Sequence, residues 1–148
     1  MKNEVVLEFK IVGFEDVSHE YISKITGVNP AKVFIKGQKR NPSNPNGKAL
    51  HKNNIWVINA SLGKYASFDD QLNTLLEIIE SKIEIFKIFS IKYYCEFSCA
   101  LFIYSNGEES TPWLHLNSRY NRLIKELNIE FDVDIYCMTN NENSAVEN

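Results

Sequence analysis

Hydrophobic and polar positions first alternate at Val5, Leu7, Phe9 and Ile11 against Val6, Glu8, Lys10 and Val12, a strand pattern that Gly13 ends. From Asp16 the period becomes helical: Val17, Tyr21, Ile25 and Val28 recur on one side, and Gly27 stands where a left-handed cap closes such a helix. Asn29-Pro30 opens a loop, Val33-Phe34-Ile35 reads as a short strand, and residues 36–54 form a turn-rich connection of the length that is usually functional or mobile. Ile55 to Ile58 is the next strand. Ser67-Phe68-Asp69-Asp70 matches a capping box in its Asp form. It predicts one long helix to about Lys87, with Leu72, Leu75, Leu76, Ile79, Ile83 and Phe86 as the apolar stripe.

Residues 91–104 predict the longest strand, with Ile91, Tyr93, Cys95, Phe97, Cys99, Leu101 and Ile103 on one face. The other face carries Tyr94, Glu96, Ser98, Ala100, Phe102 and Tyr104. A turn follows at Ser105-Asn106-Gly107, then a helix from Ser118 to Leu127 with Tyr120, Leu123, Ile124 and Leu127 inward. The last strand has the cleanest alternation, Ile129, Phe131, Val133, Ile135 and Cys137 against Glu130, Asp132, Asp134 and Tyr136. From Met138 onward the Asn- and Glu-rich tail reads as disordered. The expectation is a single α+β domain over residues 1–137 with a disordered tail over 138–148. Its sheet has four to five strands, mixed or antiparallel, with about three helices on one face. The two strand–helix–strand units resemble the halves of a ferredoxin-like sandwich, with the long helix between them as an extra element.

Composition narrows the class. At 148 residues, 44% hydrophobic and 24% charged, the chain can bury a core without disulfides or metals, as an ordinary globular domain does. No apolar run is long enough to span a bilayer. Glu4 and Glu8 fall inside what would be the apolar region of an export signal, so the start reads as a strand and the protein as cytoplasmic. Cys95 and Cys99 lie on one strand face about 13 Å apart, too far to bridge. With an odd count and no CxxC, these two and Cys137 read as reduced thiols buried in the core.

Charge is strongly segregated. Between Tyr21 and Phe68 no Asp or Glu occurs over 48 residues, although eight of the sixteen Lys and Arg lie there. Residues 69–148 carry a formal charge of −8, within a net −3. Such partition builds separate basic and acidic surfaces that attract oppositely charged partners. The basic one centres on Lys36, Lys39, Arg40, Lys48 and Lys52. It is open to three readings: a solvated loop, a surface for an acidic protein, or a site for nucleic acid or another phosphate ligand. The last is opposed by a sequence pI near 5.6.

Catalytic signatures are weak. His19, His51 and His115 lie in different segments without metal-ligand spacing. No GxSxG, GxGxxG or P-loop occurs, and the cysteines fall on predicted core faces, where a thiol is inert. Glu130, Asp132 and Asp134 share a strand face at about 7 Å spacing. They can be a solvated face, an acidic binding strip or an acid–base pair. Trp113, after Pro112 in a polar loop, is either an interface anchor or a cap on one end of the sheet. The expectation is a non-catalytic, protein-binding domain with no cofactor, no metal and no membrane contact. Its partner surfaces are the basic loop, Trp113 and the acidic strip. A nucleotide or nucleic-acid binder through residues 36–54, or an enzyme with an unrecognised site, are the alternatives.

Several segments together carry a family likeness: Gly27-Val28-Asn29-Pro30-Ala31-Lys32, Lys36-Gly37-Gln38-Lys39-Arg40, the strand around Trp56, Leu116-Asn117-Ser118 opening a helix, Leu123 to Leu127, and Phe131 to Tyr136. From Val5 to Tyr136 the chain resembles a bacterial domain-of-unknown-function family, number 4279. The resemblance implies a small cytoplasmic α+β domain and supplies no active site. Bacterial domains of this size and style include immunity proteins, which bind and block a toxin. An acidic strip of this kind would suit a basic nuclease cleft.

Overall fold

β1 (Glu4–Val12) is the strand around which the others assemble. In the computed structural model, which describes residues 2–105 and 109–139, it lies at the centre of a five-stranded sheet. The remaining elements, in chain order, are α1 (His19–Thr26), β2 (Lys32–Phe34), β3 (Ile55–Asn59), α2 (Phe68–Ser81), α3 (Ile83–Lys92), β4 (Tyr94–Tyr104), α4 (Ser118–Glu126) and β5 (Glu130–Met138). The sheet order is β2-β3-β1-β4-β5, antiparallel at every pairing except β4 with β5. The fold is α+β and mixed, with the helices on one face.

The directions reveal the plan. β1 and β2 run parallel with β3 between them, and β3 and β4 run parallel with β1 between them. Two interleaved split strand–helix–strand units in this order are the ferredoxin-like arrangement. The long helical segment is therefore no extra element: it is the crossover of the second unit. The additions are α4 and β5, which append a strand parallel to β4.

Alternation selects the buried face. Val5, Leu7, Phe9 and Ile11 of β1, Trp56 and Ile58 of β3, and Cys95, Phe97, Cys99 and Leu101 of β4 meet Leu72, Leu75, Leu76 and Ile79 of α2 and Phe86 and Phe89 of α3. Phe9 stands edge-on to both Phe86 and Phe97 at the centre. Trp56 is fully enclosed, and its indole N–H donates to Ser23 Oγ at 3.0 Å.

Several expectations are corrected. The predicted single helix breaks at Lys82 (φ −133°, ψ 38°), where the chain turns so that Phe86 and Phe89 reach the core from a new direction. No Gly or Pro marks the break. Ile91 belongs to the end of α3 and is 73% exposed, and β4 begins only at Tyr94. Around α1, Val17, Ile25 and Val28 pack half-buried against the core as expected, but the fully buried residues are Ile22 and Thr26, Tyr21 is exposed, and the helix is capped by Ser18. Ile124 on α4 is likewise exposed. Cys95 and Cys99 are buried, but Cys137 is exposed, because the helix layer does not reach the end of β5. Met138 is the last residue of β5, paired with Tyr104. Asn106 and Gly107 of the predicted turn, and residues 140–148 of the predicted tail, lie outside the described residues.

One polar residue completes the core. β3 pairs with β1 only from Glu8 to Val12, which leaves the earlier half of β1 without a strand on that side. Gln71 of α2, buried, fills the gap: Oε1 accepts from the Leu7 N–H at 3.1 Å, and Nε2 donates to the carbonyls of Val5 at 2.8 Å and Ala66 at 2.9 Å. Gln71→Leu strands two buried main-chain groups and should lower unfolding free energy by about 2–4 kcal/mol in urea denaturation. An unchanged midpoint would show that the amide is dispensable.

Candidate functional site

The sheet face opposite the helices is where the charges meet. One row crosses it from edge to edge: Lys32 on β2, Val57 on β3, Lys10 on β1, Glu96 on β4 and Glu130 on β5. Strand spacing makes this roughly 19 Å from the basic end to the acidic end. The next rows place Asp132 beside Ser98 and Asp134 beside Ala100. Glu130, Asp132 and Asp134 therefore stand together on one exposed strip, as their spacing in the sequence predicts.

Its acids differ in how they are answered. Glu4 pairs with Lys64 at 2.9 Å, Glu8 with Lys32 at 3.0 Å and Glu96 with Lys10 at 4.0 Å. Among the described residues no cation comes within 4.0 Å of Glu130, Asp132 or Asp134. Glu96, half-buried between β1 and β5, has its carboxyl pushed above the ordinary value. Burial contributes most, then a hydrogen bond with Asp132, while Tyr94 and Lys10 pull the other way. The Tyr94 hydroxyl donates to Glu96 at 2.9 Å.

β5 itself is unusual. It is an edge strand, and of its nine residues only Phe131 is even half-buried. Phe131 packs among Phe68, Phe97 and Tyr120, and beyond it the strand leaves the cover of the helices. Val133 and Ile135 continue the core side of the sheet, yet Ile135 is 60% exposed. The expected half-buried strand is thus exposed on both faces past its first turn of pairing. Sequence alternation reports which side a residue takes, not whether anything lies over that side.

The basic residues gather at the opposite edge. Residues 36–54 are not an open loop but a hairpin extending β2 and β3: Gly37 and Arg40 N–H donate to the carbonyls of His51 and Ala49, both at 2.9 Å, and His51 N–H donates to Gln38 at 2.8 Å. Asn54 anchors its base, accepting from Lys36 N–H and donating to the Phe14 carbonyl. Lys39, Arg40, Lys48 and Lys52 have no carboxylate within ion-pair reach among the described residues, whereas Lys36 is held by Glu15. The structure brings the basic residues into one hairpin and the acidic ones into one strip. It does not bring the two groups together.

Trp113 lies apart from both. It is 67% exposed, stacked on His115 with centroids 5.1 Å apart, and borders an open groove of about 630 Å³. Asn3, Tyr65, Phe68, Asp69 and Glu109 also line that groove. Glu96 is not among its lining residues. Burial pushes the Cys95 thiol up to about 12 and the Cys99 thiol to about 11, so neither is a thiolate at neutral pH. Among the described residues, no cluster of three or more His, Cys, Asp or Glu could hold a metal. Among the described residues no helix is long and apolar enough to cross a membrane.

Sequence reasoning missed Glu96 and Tyr94 as part of the acidic strip. Their side of β4 was legible, but the parallel register that sets Glu96 against β5 was not.

The raised pKa means that the folded protein holds the Glu96 proton more tightly than the unfolded chain does. Its stabilising contribution is therefore present at low pH and lost as pH rises through the folded-state value. Asp132→Asn should lower the Glu96 midpoint in a carboxyl-carbon NMR titration without restoring the ordinary value, because burial remains. A midpoint that stays put would exclude the carboxylate neighbour as a cause.

The chain belongs to the family described as Domain of unknown function (DUF4279), whose model matches residues 3–138. No curated protein and no solved structure gave a match.

Proposed function

With membership of that family as the premise, we propose that this domain is a non-catalytic binder of another protein and that the β5 strip receives a basic partner. One contrast carries the reading. Glu4, Glu8 and Glu96 on the inner strands are answered by lysines of the same chain, while the three β5 carboxylates are exposed without such a cation among the described residues. Exposed, unanswered charge of one sign steers association and sets orientation. A toxin with a basic, nucleic-acid-handling cleft is the partner that such a strip would occlude, and the domain would then serve as its immunity protein.

Catalysis draws less support. The raised carboxyl of Glu96 lies outside the groove beside Trp113, so the convergence of shifted acid and concavity expected of an active site is missing from that groove.

The test begins with co-purification at low salt, followed by kinetics on the isolated pair. The association rate should fall about tenfold or more between low and moderate salt, and Asp132→Lys/Asp134→Lys should abolish capture. A rate indifferent to salt, or capture that survives charge reversal, removes this reading.

A second reading has its own observation. Lys39, Arg40, Lys48 and Lys52 project on a built hairpin without acidic partners among the described residues, an arrangement suited to phosphates. Titration with mixed oligonucleotides should then show binding at low salt that weakens steeply as salt rises and is lost in Lys39→Ala/Arg40→Ala. Silence at low salt rules it out.

A further inference from the structure

We propose that β5 binds by strand addition, taking as a sixth strand an extended segment in which Lys or Arg alternates with Val, Ile or Leu. This rests on the protein-binding reading above and assigns it a backbone geometry and a partner sequence.

The edge is available. Among the described residues β5 pairs only with β4, in an unbroken register from Glu96–Glu130 to Tyr104–Met138, and no strand of theirs lies beyond it. Nine residues without proline or bulge are a long edge, and folded proteins usually shorten, twist or cover such a row of donors and acceptors. The other edge is a poor receptor. β2 has three residues, the Phe34 carbonyl is already bonded to His19 Nε2 at 2.9 Å, and Lys32 and Lys36 are held by Glu8 and Glu15.

The side chains of β5 specify the occupant. On the open face Glu130, Asp132 and Asp134 alternate along the strand, and on the helix side Val133 and Ile135 stand uncovered between them. An added strand places its own alternate residues about 5 Å from these. Cations belong beside the acids and branched apolar residues beside Val133 and Ile135. Opposite Tyr136, which stacks on Phe102 with centroids 4.9 Å apart, an aromatic or aliphatic residue fits better than a charge. A second copy of β5 is disfavoured, because symmetric antiparallel pairing about Asp134 sets that carboxylate against its twin. Strand addition is an established recognition mode in which main-chain bonds give affinity and alternate side chains give specificity.

The full-length protein would be titrated with a fluorescent, N-acetylated nine-residue peptide of alternating lysine and valine. Two N-methylated versions, one at the lysine amides and one at the valine amides, and a block-ordered peptide of the same composition complete the set. Strand addition predicts that the block peptide binds about tenfold or more weaker. It also predicts that one methylated set loses binding while the other keeps it, since alternate amides face opposite edges. Asp132→Lys and Ile135→Asn should each weaken the alternating peptide, with circular dichroism confirming that both variants fold. Equal binding of all four peptides means charge attraction alone; it overturns strand addition and leaves the protein-binding reading standing. No binding of any peptide, together with self-association of Asp134→Asn, means that the acids only keep copies apart, and overturns the proposal too.

Discussion

Main-chain polar groups at the limits of a sheet must find partners, and this requirement organises the molecule. β1 solves it by pairing on both sides, with β4 along its whole length and with β3 along its second half. Where β3 falls short, the amide of Gln71 stands in for a strand, and Val5 N–H bonds to the Lys64 carbonyl. Among the described residues no buried side-chain polar atom is left without a partner. The core between the helices and the sheet is predominantly apolar, and these few polar contacts close its margin.

At the other margin the requirement is met differently. The ferredoxin-like order β2-β3-β1-β4 would end on β4, an apolar strand with Phe97 and Leu101 at its centre. α4 carries the chain back over the sheet, fixed to α2 by the two-pronged Arg119–Glu80 pair and by Asn117 with Asn73, so that β5 covers β4 in parallel. The addition protects β4 and passes its exposed edge outward to a strand whose open side is acidic. Charge partition follows from the same topology: the acid-free stretch of sequence forms β2, β3 and their hairpin, at the edge farthest from β5.

Much of this was legible in the residues. Alternation located β1, β4 and β5, short apolar runs located β2 and β3, and the capping residue Ser67 marked the start of α2, since a side-chain oxygen that satisfies an early amide leaves a local signature. The acidic triplet of Glu130, Asp132 and Asp134 also stands where its spacing places it. What escaped has a common cause. The break at Lys82, the exposure of Val133 through Cys137 and the role of Gln71 all depend on what lies across from a segment. Nothing within the segment encodes that. A residue such as Gln71 resembles any polar helix position until the shortfall of β3 is known. At 36–54 the turn-rich character was legible, and the turns at Asn41–Asn44 and Asn44–Gly47 are local, but the pairing of Gly37 to Arg40 with Ala49 to His51 that makes a hairpin of them is not.

The two tryptophans end in opposite surroundings, and this gives the molecule a pair of built-in optical reporters. Trp56, sealed in apolar contacts with its indole bonded to Ser23, emits from a water-free setting and follows loss of the core. Trp113, stacked against the His115 imidazole in solvent, is open to aqueous quenchers. Emission colour and quencher access thus separate events at the groove from events in the interior, with no label attached.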